Sequence, residues 1–224
     1  MIYVHLHDRA HAAPLLESAA QLAQKLGKEL QEDESNDPDQ LASRCESLEA
    51  SLLIIQCSSR SARYLKKYLK ACRDLRIPYL FYFPEFTVLD LSRVMIPVGF
   101  LIEEIEKAQF ASAFGRFFSS ELILLQAKDY GSKAATNINK ISTVLDKFDL
   151  SYRVVQARKD SFKVDAETLT RGVEEGCGLI IVSASREYGL DDVLFGPREL
   201  HLLRRTTLPL MLINPRADLY VLCD

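Results

Sequence analysis

The chain has no tryptophan, few methionines, and four histidines, three of which fall within its first eleven residues. That leaves little from which to assemble a nucleophile, a base and an orienting acid. Ser183 and Ser185 follow an apolar run without the glycine-flanked elbow that presents a hydrolase serine, and no Ser or Cys stands with His and Asp at a catalytic spacing. An enzyme is therefore not the favoured reading. Metal-ligand spacing is missing among the five cysteines, Cys45, Cys57, Cys72, Cys177 and Cys223, and their odd count argues against a closed disulfide framework. A reducing cytoplasm is the expected setting. No apolar run approaches the length that crosses a bilayer, and MIYVHLHDRAHAAP lacks the charged and apolar regions of a secretory signal. An excess of positive charge is also lacking: 28 Lys and Arg against 31 Asp and Glu leave a net charge of −3. Such a balance gives no global attraction to nucleic acid or to a membrane surface, and leaves a protein or small molecule as the expected partner.

What is present is an alternation of short apolar runs with amphipathic stretches. Ile2 to Leu6 reads as a strand, followed by a helix with Leu15, Ala19, Leu22, Ala23 and Leu26 on one face and Gly27 at its close. Lys28 to Glu32 is a candidate second strand, the acidic EDESNDPD at Glu32 to Asp39 reads as a solvated loop, and a helix is expected from there to about Ala50. Strands at Leu52 to Ile55 and Tyr79 to Phe83 flank a helix over Ser61 to Leu75. The order then repeats in fuller form: strand Val94 to Val98, helix Glu103 to Phe118, strand Leu122 to Ala127, a helix striped by Ala134, Ile138, Ile141, Leu145 and Phe148, strand Tyr152 to Gln156, helix Asp165 to Glu175. Such an alternation with short connections predicts a doubly wound α/β sheet.

Gly178 to Pro215 is the most informative stretch. Leu179 to Val182 and Leu208 to Ile213 are apolar without polar alternation, as in strands covered on both faces. Between them lies a loop with Gly189 and Gly196, then a helix expected to begin at Pro197, where the missing N–H has no helical use. This β-α-β unit resembles the last one of the universal stress protein family. The resemblance implies the adenine nucleotide alpha hydrolase-like fold, with strand order 3-2-1-4-5. In that family the loop carries Gly, two residues, Gly, nine residues, then Gly and Ser or Thr, and wraps the phosphates of ATP through free N–H groups at a helix start. The matching positions here are Ser183, Arg186, Gly196 and Pro197, so only the third glycine is kept. The family's first strand ends in an Asp that holds the nucleotide, and the matching position is Gly99. The cofactor-binding positions Gly99, Ser183, Arg186, Gly196 and Pro197 thus form a degenerate nucleotide site, with no cofactor expected. ATP bound through altered contacts is the alternative.

The two halves echo one another. LeuIleIle and SerArg recur at 53–55 and 59–60 and at 179–181 and 185–186, and Pro78 and Pro84 bracket a strand as Pro209 and Pro215 do. His7 falls on Gly99, yet His7 to Arg60 spans 53 positions and Gly99 to Arg186 spans 87. The deficit of 34 is the size of one helix-strand unit, of the kind Ser132 to Ala157 supplies. We therefore expect an abbreviated domain at 1–88 and a complete one at 89–224, in both of which the nucleotide site is degenerate. Their final strands, Tyr79 to Phe83 and Leu210 to Asn214, are expected to lie antiparallel, so that one chain forms a pseudo-dimer. The apolar tail Leu219 to Leu222 leaves further association open.

Three clusters are candidate sites. His5, His7, Asp8 and His11 are the only concentrated metal-capable side chains, and Cys57 falls at the family's first loop glycine. Strand-end packing is the favoured reading of these residues and a metal or small-ligand sensor the alternative. Arg60, Arg63, Lys66, Lys67, Lys70, Arg73 and Arg76, with Tyr64 and Tyr68 between them, make the Ser61 to Leu75 helix basic. It is read as a surface helix seated on Leu65, Leu69 and Cys72, with nucleic acid or an acidic partner as the other possibility. Arg186, Arg198, His201, Arg204 and Arg205 lie around the degenerate loop, where side chains rather than backbone would have to bind an anion. The function expected is that of a universal-stress-type regulatory or interaction protein.

Overall fold

The structure is a computed structural model, and it describes residues 1–35, 37–185 and 196–216. Its chain forms two compact units, Met1–Leu89 with Ala184–Asn214, and Asp90–Ser183 with Pro215–Asp224.

The first unit opens with β1 (Ile2–Leu6), followed by α1 (Ala13–Leu26), which buries Leu15, Ala19, Leu22 and Ala23 and is closed by Gly27 in a left-handed conformation. Next comes β2 (Leu30–Glu34), parallel to β1 over its whole length. This strand runs further into the acidic stretch than the expected loop allowed. The acids are compatible with it because they find partners at the sheet edge: Asp33 accepts from the Tyr3 hydroxyl at 3.0 Å and pairs with Arg44, and Glu32 pairs with Arg9 at 2.8 Å. After α2 (Leu41–Ser47) the chain forms β3 (Leu52–Gln56), α3 (Ala62–Ala71) and β4 (Tyr79–Tyr82). Ser61 caps α3 by accepting from the Tyr64 N–H at 3.3 Å. From the far end of the chain come two more elements, which we label α7 (Arg198–Arg205) and β9 (Leu210–Ile213). Pro197 is the cap of α7, with φ −66° and ψ 157°, one position outside the expected helix start. The sheet order is β2-β1-β3-β4-β9. The first four strands are parallel, and β9 lies antiparallel to β4 with Tyr79, Leu80 and Phe81 opposite Leu212, Met211 and Leu210, as expected for these two strands.

The second unit contains β5 (Arg93–Val98), α4 (Glu106–Phe118), β6 (Glu121–Gln126), α5 (Lys133–Lys147), β7 (Tyr152–Gln156), α6 (Val164–Glu174) and β8 (Leu179–Ser183). A short 3-10 turn at Ile102–Ile105 takes the first part of the helix expected from Glu103. The parallel order is β8-β5-β6-β7, the arrangement that the resemblance implies for these four strands. β5, β6 and β8 are nearly wholly buried, which is why their sequences are apolar without alternation. Among the described residues no helix is long and apolar enough to cross a membrane.

Candidate functional site

Open α/β sheets place ligands beyond the carboxyl ends of their strands. In the second unit that place is the end of β5, where the chain turns through Gly99. A Cβ built on Gly99 would lie 2.9 Å from Ser161 Oγ and 3.1 Å from Ser161 Cβ. No carboxylate can stand at this position unless Ser161 moves, and Ser161 is fastened: its hydroxyl accepts from the Phe100 N–H at 2.9 Å and donates to Asp129, whose carboxylate also accepts from the Ser161 N–H at 2.9 Å. Asn137 Nδ2 donates to the carbonyls of Gly99 and Leu101 at 2.9 and 2.8 Å. Below the turn, Lys107 is fully buried and donates to the Pro97 carbonyl and to Glu104. The Glu104 carboxylate faces the Gly99 N–H at 3.4 Å. The strand end is thus occupied by the unit's own side chains, and its residues do not fit a nucleotide held by a carboxylate.

The first unit closes the end of β1 differently. Gln56, the last residue of β3, accepts from the N–H groups of both His7 and Asp8 at 2.9 Å and donates back to the Asp8 carbonyl at 2.9 Å. His5 is wholly buried, with Nε2 at 3.2 Å from the Tyr68 hydroxyl and Nδ1 without a partner among the described residues. Burial holds its pKa down at about 4, so the ring is neutral at physiological pH. His7 meets Tyr64 edge to face, and His11 turns outward to Asp8 at 2.7 Å. Of the four N-terminal candidates Asp8 and His11 meet, but among the described residues no three His, Cys, Asp or Glu side chains converge to hold a metal. Cys57 is buried near the Ile55 carbonyl, and burial pushes its thiol well above the ordinary range.

The remaining positions have local reasons of their own. Gly196 has φ +86°, and a Cβ there would lie 2.5 Å from Leu200 Cδ2 and 3.1 Å from Lys66 Cε, so the glycine serves the entry into α7. Ser183 ends β8 and is buried. Glu199 on α7 accepts from the Ser185 hydroxyl at 2.8 Å. Arg186 and Gly189 lie outside the described residues, as do the tail Leu219 to Leu222 and Cys223. Arg60 stacks 3.7 Å over Phe83, pairs with Glu85 and donates to the Leu203 carbonyl at 2.5 Å. On α3, Leu65 and Leu69 face inward as expected, as does Cys72 at its end, and the two tyrosines read with the basic residues are drawn in as well: Tyr68 is buried and Tyr64 stacks on it at 4.8 Å between centroids. Its basic residues stay exposed.

Gln56, Glu104, Lys107, Asn137 and Ser161 are the residues closing the two strand ends that sequence reasoning did not find. Lys107 had a signal, a lysine on the apolar face that Ala111 and Phe114 continue. Gln56 had a weaker one, a polar residue ending the run LeuLeuIleIle.

No family profile and no curated protein sequence matches the chain. Solved structures do. A universal stress protein from Archaeoglobus fulgidus DSM 4304 superimposes with a TM-score of 0.64 at 16% identity, covering 93% of this chain and 78% of its own. A protein of unknown function from Pseudomonas aeruginosa PAO1 gives 0.60 at 13% identity, over 95% of this chain and 81% of its own. A protein of Pseudomonas aeruginosa UCBPP-PA14 ascribed to the universal stress proteins gives 0.58 at 12%, with the same coverage. At these identities the likeness establishes the fold, and the fold of this chain is that of the universal stress proteins.

Proposed function

We propose that the chain is a regulatory or interaction protein of the universal stress type that works without bound nucleotide. The observation that carries the reading is Ser161, packed 2.9 Å from where a side chain at position 99 would start and fastened there by Asp129. A carboxylate at this position is what the resemblance assigns to nucleotide binding, and the site supplies neither the carboxylate nor the room for it. Gln56, which satisfies the corresponding strand end in the first unit, supports the same reading there.

The reading includes a tandem origin, with an abbreviated copy at 1–88 and a complete one at 89–224. Its support is the strand order: β2-β1-β3 repeats the parallel arrangement of β6-β5-β8, while outside β6 the second set carries β7, with α5 before it, and outside β2 the first carries no such unit. The antiparallel pairing of β4 with β9 supports an internal pseudo-dimer.

The test is thermal denaturation with and without saturating Mg-ATP. A ligand at 100 times its Kd adds about 2.7 kcal/mol to a folded protein. We expect no change in Tm; a rise of several degrees would overturn the proposal.

A further inference from the structure

The second unit carries an exposed apolar patch beside the closed strand end. Five aromatic or aliphatic side chains stand on three neighbouring loops: Phe100, Leu101 and Ile102 after β5, Tyr130 after β6, and Phe162 after β7. Phe162 is 76% exposed and Tyr130 fully so, while Phe100 meets Phe162 at 5.4 Å between ring centroids. Solvating side chains of this size is unfavourable, and a cluster of them on one surface marks an interaction site more often than a single exposed residue does.

The loops are tied to one another rather than splayed. Phe100 N–H donates to Ser161, Ser161 N–H to Asp129, Lys128 N–H to the Lys159 carbonyl at 2.8 Å, and Asn137 to the Leu101 carbonyl. Glu167 accepts from the N–H groups of Arg158 and Lys159 at 2.9 and 2.8 Å, fixing the loop before α6. The patch is therefore preorganised, which lowers the cost of binding.

Its rim is basic. Lys128, Lys133, Arg158, Lys159 and Lys163 are exposed, and no ion pair among the described residues involves them. Arg158, Lys159, Lys163 and Arg171 line a depression of about 360 Å³ that also holds Glu167 and Glu174, so its cations outnumber its carboxylates. Five unpaired cations on a chain of net charge −3 are a local departure from its overall charge.

We propose that this patch docks a short acidic segment of a partner protein that carries apolar anchors, its carboxylates reaching the lysine rim while its apolar side chains cover Phe162 and Leu101. This deepens the interaction function proposed above and rests on it. Charge complementarity selects the acidic segment, and the patch size selects a short one. An anionic membrane or a nucleic acid would bring extended negative charge against a net acidic chain, whereas a short segment meets only the patch.

The test is fluorescence anisotropy with a labelled peptide in which Asp and Glu alternate with Leu and Phe. The intact chain should bind it, with affinity falling as salt rises, and Phe162→Ser, Leu101→Ser and Lys159→Glu/Lys163→Glu should each weaken binding about tenfold or more. These positions are exposed, and circular dichroism melts verify that each variant folds. A peptide with Ser in place of Leu and Phe should bind about tenfold more weakly. Lys66→Glu/Lys70→Glu on α3 should bind as the parent does. The proposal is overturned if the peptide does not bind, if the α3 variant loses binding while the patch variants keep it, or if only phosphatidylserine vesicles or an oligonucleotide bind. Mg-ATP melts run alongside keep the two proposals separate: a Tm rise counts against the nucleotide-free reading whatever the peptide does.

Discussion

At the end of β1 the backbone is held by one neutral amide, that of Gln56, whereas at the end of β5 the same duty is divided among Asn137, the Ser161 hydroxyl and the buried Glu104–Lys107 pair. The amide satisfies two N–H groups and a carbonyl without taking any charge out of water. The ion pair requires two charges to be desolvated, and each then depends on the other. By the internal echo Gln56 falls on Val182, so the second half has no amide at that place. Asn137 comes from α5 and Ser161 from the loop after β7, which in the tandem reading is the region the first half lacks. A strand end of this fold can thus be closed by whichever neighbouring element carries a polar group of the right length.

The difference is sharpest at Lys107. Lys107→Met should cost about 3–5 kcal/mol, because it leaves Glu104 buried without its cation, and the double variant Lys107→Met/Glu104→Gln should recover much of that loss. Urea denaturation measures both; equal stability of the single and double variants would show that the pair does not hold this end. In the first unit, Gln56→Leu should cost about 2–3 kcal/mol, the penalty of two N–H groups and one carbonyl losing a shared partner. Loss of much less would mean that water satisfies those groups and that the two ends are not analogous.

The pH dependence also separates the units. Burial disfavours the His5 imidazolium, so the unfolded chain takes up this proton near pH 6.5 and the folded one only near 4. The contribution of His5 is complete above pH 6.5 and is lost as the pH falls toward 4, by about 2–3 kcal/mol. Denaturation midpoints of the parent and of His5→Phe across that window should differ in slope, and parallel curves would remove His5 from the account. The smallest effect is expected at the turn after β5, where Gly99→Ala should cost about 1–2 kcal/mol through contact with Ser161. Ser161→Gly should relieve that cost in the double variant; an unchanged penalty would mean that Ser161 is not what fills the space.

The strands and helices were legible in the sequence because burial on both faces makes β3, β5, β6 and β8 apolar without alternation and gives α1, α3 and α5 a stripe at helical spacing. The pairing of β4 with β9 was legible too, since two proline-bracketed strands each required a neighbour. The extent of β2 was not, because a polar edge strand carries the composition of a loop and only its partners Tyr3, Arg44 and Arg9 reveal it. At the candidate site, the sequence supplied only the identities of Gly99 and Pro197, which the family resemblance reads as positions without the nucleotide-holding groups. What replaces them was decided by tertiary structure, because Gly99, Asn137 and Ser161 are far apart along the chain and no local pattern records that a serine from one loop fills the space beside a glycine in another.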